Sequence, residues 1–198
     1  MSNNINFYQI NLHKAYAPST ELNDLLSNKS TFIVFIQEPA SRLGAIKGIN
    51  RKSCDIIHVG GHNKPRAALC VSKNLDLHPL YHLCTTDTAV ALIKVKKNSM
   101  NRNIVICSSY FPYDSTQPPP SPEFILVVEY CKKNNLPLLT GIDSNSHHVA
   151  TTTFYFIYSS CFIHSYYKTA TVIKFRKIIQ NRLITYKQLK PLLKQSNE

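Results

Sequence analysis

Short apolar runs alternate with turn-forming clusters along the first three quarters of this chain, and the runs have the length and composition of strands. Residues 5–12 (INFYQINL) predict an opening strand. Residues 31–37 (TFIVFIQ) form a continuous run rich in β-branched and aromatic side chains, which predicts a central strand buried on both faces. It ends at Glu38-Pro39, where proline forbids a further ladder bond and leaves a carboxylate at the strand end. Further runs at 54–59, 67–71, 89–95 and 103–110 are separated by Gly-Gly, Asn-Lys-Pro and Lys-Lys-Asn-Ser turn material. Two helices interrupt the strands. One starts at Pro18 and Ser19 and carries Leu22, Leu25 and Leu26 on one face. The other starts at Ser121-Pro122-Glu123, runs to Asn135, and aligns Phe124, Val127, Val128 and Cys131. A last strand at 136–142 completes a strand-rich pattern with two helices, as in an α/β sandwich.

Composition narrows the class. A chain of 198 residues with 43% hydrophobic and 17% charged residues is globular, and fits one domain or one domain plus a tail. Twenty-three Lys and Arg against 11 Asp and Glu give a formal charge of +12, which favours a polyanionic partner such as nucleic acid. The six cysteines show no C-x-x-C spacing, so zinc-ribbon and redox readings have little support. The N-terminus lacks the regions of a signal peptide, and the longest mainly apolar stretch, 154–163, is too short to cross a bilayer. The expectation is an intracellular protein with no membrane partner and reduced thiols.

Residues 138–148 (LLTGIDSNSHH) carry the most chemistry. The apolar pattern is expected to stop at Gly141, after which Asp143 and Asn145 stand two apart and, in extended backbone, point the same way. A carboxylate to deprotonate water and a neutral donor to hold developing negative charge are what phosphodiester hydrolysis requires. An Asx-rich turn closing a strand uses the same residue types. Three further polar residues fall at strand ends upstream: Asn11, Glu38 and Tyr110. Polar groups gathered at the ends of buried strands are where α/β folds build sites.

These blocks, in this order, resemble the endonuclease/exonuclease/phosphatase superfamily, which includes DNase I, and more narrowly the endonuclease domain of animal non-LTR retrotransposons. The likeness lies in QINLHKA, IQEP, RAALCVSKN (66–74), SSYFP and GIDSNSHH, and covers about residues 5 to 148. It implies a two-sheet, DNase I-like α/β sandwich, a DNA partner, and a nuclease that uses Mg2+ or Mn2+ and no small-molecule cofactor. By the same resemblance, Glu38 would hold the ion and Asn11 would position the ion's surroundings or the carboxylates. Asp143 would deprotonate the attacking water, Asn145 would bond the phosphate, and Tyr110 would donate to a phosphate oxygen. Arg66, His147 and His148 would contact DNA. The product would be a nick whose 3′-hydroxyl primes reverse transcription, which places the protein in the nucleus.

The likeness stops after His148. The superfamily pattern continues with a Trp-Gly, a second Asp-bearing strand and a Ser-Asp-His; this chain has no Trp, no Asp after 143 and no acid until Glu198. The expected division is therefore an endonuclease-like domain over 1–150, incomplete at its C-terminal end, and a divergent basic tail over 151–198. Phe, Tyr, Ile, Lys and Asn make up 23 of the tail's 48 residues, a bias that translation of a shifted frame in A/T-rich DNA produces. The competing expectation is a genuine basic tail that is helix-prone over 173–193, and residues 154–163 and 172–184 could pack as substitute strands. Two further readings stand beside an impaired nuclease: an inactive nucleic-acid-binding remnant, and a phosphoesterase for small or lipid phosphates. Reading the other frames of the same DNA tests the shift: a superfamily-like C-terminus continuing there confirms it, and its absence in every frame contradicts it.

Overall fold

The computed structural model describes residues 5–60, 64–97, 100–116, 119–143, 145, 152–157, 175–179 and 182–185. In chain order the elements are β1 (Asn6–Asn11), α1 (Tyr16–Ser27), β2 (Phe32–Gln37), β3 (Ser41–Arg42), β4 (Ala45–Ile46), β5 (Cys54–Ile57) and β6 (Ala67–Ser72). There follow β7 (Asp76–Pro79), a 3-10 turn at Tyr81–Leu83, β8 (Thr88–Lys97), β9 (Met100–Tyr110), α2 (Pro122–Lys133) and β10 (Leu138–Asp143). Three strands come from the tail: β11 (Thr152–Ile157), β12 (Phe175–Ile179) and β13 (Arg182–Thr185). One sheet has the order β13-β12-β1-β2-β6-β5, the second β11-β10-β9-β8-β7, and β3-β4 is a small separate hairpin.

Period-two alternation sorts the strand residues into layers. Phe7, Ile33, Phe35, Leu69, Val71, Ala89, Ala91, Ile93, Ile106 and Leu139 face inward and fill the space between the sheets. Their neighbours Tyr8, Ile10, Phe32, Val34 and Ile36 face outward and pack with Leu22 and Leu26 of α1. On the other side Val90, Val105, Cys107, Leu138 and Ile142 pack with Phe124, Val127 and Cys131 of α2. Each fully buried Leu or Phe stabilises by about 1.5–3 kcal/mol, so the helix faces hold the outer layers in place. Ser121 caps α2 as the sequence predicts, its Oγ accepting from Phe124 N at 3.3 Å. The result is the two-sheet α/β sandwich, with helices outside. Among the described residues no helix is long and apolar enough to cross a membrane.

At mid-height the inner layer turns polar. Gln9 Nε2 donates to Ile142 O at 2.9 Å, and Gln37 Nε2 to Gly141 O at 3.2 Å and Ser108 Oγ at 3.1 Å. Ser108 Oγ in turn donates to Ile36 O at 2.9 Å. These fully buried bonds tie the two sheets together, which a purely apolar interface could not do in one register.

Two expectations are corrected here. The strand expected at 136–142 is present as β10, but the halt in the apolar pattern at Gly141 is not the start of a turn: β10 runs through it to Asp143, paired in parallel with β9 over its whole length. Glycine is there because the sheets nearly touch; a Cβ at 141 would lie 2.5 Å from Phe35 Cβ and 3.3 Å from Gln9 Oε1. The tail is not helical where it is described. β11 pairs antiparallel with β10, β12 parallel with β1, and β13 antiparallel with β12. Tail strands thus cover the edges of β1 and β10 that would otherwise present unpaired backbone. The short apolar pieces FRKII and RLIT, with cations between, fit either period, and edge pairing decides for strand.

Gly141→Ala is expected to overpack this contact and cost roughly 1–3 kcal/mol. Chemical denaturation checks it; an unchanged midpoint would mean the sheets do not approach this closely.

Candidate functional site

Two residues further along each strand than the buried amide layer, the same inward alternation delivers Asn11 from β1, Tyr110 from β9 and Asp143 from β10. Glu38 stands just past the end of β2. Asn11 joins the two carboxylates: its Nδ2 donates to Asp143 Oδ2 at 2.7 Å and to Glu38 Oε2 at 3.0 Å. Its Oδ1 accepts from His13 N at 2.8 Å, which fixes the flip of the amide. A neutral donor between two acidic groups from different sheets relieves their mutual repulsion and sets their spacing.

The backbone around Glu38 is contorted. His13, Lys14 and Glu38 have φ of 48°, 59° and 47°, in the left-handed region that costs an L-residue about 1–2 kcal/mol. Backbone bonds hold these conformations: Lys14 N donates to Glu38 O at 2.7 Å, and Glu38 N to Arg66 O at 2.8 Å. The turn brings Lys14 Nζ to 3.1 Å from Glu38 Oε1, and His13 Nδ1 to 3.9 Å from Oε2. Burial pushes the Glu38 carboxyl up, but the Asn11 bond and the bond and charge of Lys14 outweigh it and hold the carboxyl below its ordinary value. Strain of this kind tends to cluster at functional sites, which makes this group of residues the candidate site.

Asp143 is 6% exposed and Glu38's side chain 15%, so both reach the surface only through the cleft. Asp143 and Asn145 do meet, though not through extended backbone. Asn145 has φ of 46°, and its N–H donates to Asp143 Oδ1 at 3.2 Å, so an Asx-type turn folds the second residue back beside the first. The catalytic and turn readings of this run are therefore one geometry. Asn145 Nδ2 donates to Phe111 O at 2.9 Å, tying the turn to the chain just beyond β9.

Tyr110 lies in the same group. Burial first, then the charge of Glu38 and Asp143, push its phenol up against a lowering bond from Asn145, so it stays a proton donor past the pH at which a free tyrosine ionises. Arg66 is forked onto both carboxylate oxygens of Asp87, and its guanidinium sits 5.3 Å from the centre of the Tyr110 ring. His147 and His148 lie outside the described residues. Lys14, Asp87 and the glutamine layer carry no local signal, because each acts through a long-range contact that local pattern does not encode.

Two carboxylates and a phenol form a set of hard oxygen groups suited to a hard divalent ion such as Mg2+ or Mn2+. No cluster of three or more His, Cys, Asp or Glu exists among the described residues, so the ion would rest on one or two carboxylates, the usual number for Mg2+.

No protein-family model matches the chain, and no curated protein does. Solved structures do. The endonuclease domain of TRAS1, a telomere-specific non-LTR retrotransposon, is similar with a TM-score of 0.52 and 20% identity, covering 71% of this chain and 58% of that one. An endonuclease/exonuclease/phosphatase family protein from Bacteroides thetaiotaomicron is similar at 12% identity and a TM-score of 0.44, covering 71% of this chain and 62% of its own. A humanized D. rerio TDP2 is similar at 11% identity and 0.44, with the same coverages. The chain spans less than two thirds of these structures' length. The fold is shared with the TRAS1 endonuclease domain, as the motif order implies.

Asn11→Ala is expected to cost about 1–3 kcal/mol by leaving two acidic groups without their shared donor. The Glu38 part of that loss has a pH signature. A carboxyl held low in the fold contributes stability that is present above its unfolded value and lost as pH falls through its folded one. The stability gap between wild type and variant should therefore be widest near neutral pH and narrow in acid. Unfolding free energies measured across pH check this, and a gap that stays constant into acid contradicts it.

Proposed function

We propose that this chain is a metal-dependent phosphodiesterase that nicks DNA, derived from a retrotransposon endonuclease and impaired relative to it. The observation that carries the reading is Asn11 bridging Glu38 and Asp143 at the strand ends of both sheets, with Tyr110 and Asn145 beside them. The fold shared with hydrolases and the +12 charge support it. The fold alone hosts several phosphoester chemistries, so the polyanionic substrate rests on the charge and on the motifs around the site.

Glu38 would hold Mg2+ or Mn2+, and a bound ion would neutralise phosphate charge and ease departure of the leaving oxygen. The chain's own groups supply the rest. Asp143 accepts the proton of the water as its oxygen bonds to phosphorus, and the bond from phosphorus to O3′ breaks, the departing O3′ taking a proton from solvent to become a 3′-hydroxyl. Asn11 keeps the Asp143 and Glu38 carboxylates at fixed spacing. Tyr110 and the Asn145 amide are the neutral donors placed for the negative charge that develops on phosphate. A nick of this kind in nuclear DNA could prime reverse transcription.

A second reading is an inactive DNA-binding remnant, favoured by the absence of any Asp after 143 in a chain that keeps its basic excess. One assay separates the two. Supercoiled plasmid should be nicked by wild type in Mg2+ or Mn2+ and not in chelator, with nicking lowered by 10²-fold or more in Glu38→Ala and Asp143→Ala. A wild-type rate equal to both variants, with salt-sensitive DNA binding retained, establishes the remnant.

A further inference from the structure

Arg66 is the side chain whose placement the proposed chemistry leaves unexplained. Its position in the sequence suggests a DNA contact, yet two of its five guanidinium N–H donors are already committed inside the protein. Both carboxylate oxygens of Asp87 take its fork, Nη2 to Oδ2 at 2.5 Å, and its guanidinium carbon lies over the Tyr110 ring, 5.3 Å from the centroid. The backbone around the pair is equally committed. Arg66 N donates to Thr86 O at 2.6 Å, Tyr110 N to Asp87 O at 2.9 Å, and Arg66 O accepts from Glu38 N at 2.8 Å.

These bonds form one clamp across the cleft rim. Arg66 immediately precedes β6 of the first sheet, while Asp87 precedes β8 and Tyr110 ends β9 of the second. Arg66 thus holds Glu38 through its backbone and Tyr110 through its side chain, with Asp87 as the fixed point on the facing sheet. The pair is only partly exposed, 34% for Arg66 and 16% for Asp87, and a planar bidentate fork loses little further freedom on holding that geometry.

We infer that Arg66 is a positioning residue, which with Asp87 fixes the Tyr110 phenol at the reacting phosphate instead of contacting DNA itself. The inference rests on the nuclease reading for its consequence and on the clamp geometry for its cause. A misplacement of about 1 Å in such a site costs roughly 10²-fold in rate. A lysine cannot reproduce the bidentate fork, although it keeps the charge.

The test compares Arg66→Gln, Arg66→Lys, Tyr110→Phe and the Arg66→Gln/Tyr110→Phe double variant in plasmid nicking, and measures duplex DNA binding against salt. The clamp predicts that kcat falls by about 10²-fold in both Arg66 variants with KM held. It predicts that the double variant is no slower than Tyr110→Phe, and that the salt slope of DNA binding is unchanged. A DNA contact predicts the reverse: a weaker KM, rescue by Arg66→Lys, and a salt slope shallower by about one in Arg66→Gln. That result overturns the inference. A wild-type chain that binds DNA without nicking removes the functional reading instead. The binding arm then decides alone, an unchanged slope keeping the clamp and a shallower one discarding it.

Discussion

The near contact of the two sheets at Gly141 is the constraint on which the site depends. With no side chain at 141, β10 lies against Phe35 of β2, and the glutamine and serine layer can bond across the gap. That layer fixes the register of one sheet on the other. Because side chains repeat every second residue, the next inward positions are then Asn11 and Asp143, close enough for one amide hydrogen bond. A one-residue shift of β10 would send Asp143 to the α2 side, and one of β1 would send Asn11 to the α1 side, so either would dismantle the cleft. Packing at mid-height and chemistry at the rim are consequences of one register.

The rim itself is built from strained backbone and shared hydrogen bonds. Three left-handed residues bring Lys14 over Glu38, and a fourth, Asn145, folds back on Asp143. Each such residue costs stability, and the compensation is local: backbone bonds, the Asn11 bridge, and the Arg66–Asp87 fork. Lys14 sets the resting electrostatics. Its ammonium serves Glu38 at 3.1 Å, so a divalent ion approaching that carboxylate meets a cation already in place.

Most strands were legible in the sequence because their apolar runs are bounded by turn residues, and α2 because its cap and stripe agree. Gly141 was misread because glycine serves both turns and close packing, and only the facing Phe35 distinguishes them. Asn11, Glu38, Tyr110 and Asp143 could be picked out by their places at strand ends; the structure adds that the Asn11 amide holds the two carboxylates. Asn145 was placed beside Asp143 by the wrong backbone conformation, since a period of two cannot anticipate a positive φ. The short strands β3, β4 and β7 were not anticipated, and the tail's strands were only one of two readings, because runs of two to five residues carry too little periodicity to decide.

The central claim is that Glu38 and Asp143 form one hydrolytic site with distinct duties, Glu38 holding a cation and Asp143 handling the water proton. Binding of Mn2+ followed by electron paramagnetic resonance tests it without requiring turnover. The account predicts that wild type takes up the ion, that Asp143→Asn still does, and that Glu38→Gln does not. Uptake that survives Glu38→Gln unchanged would contradict the assignment of the cation to Glu38.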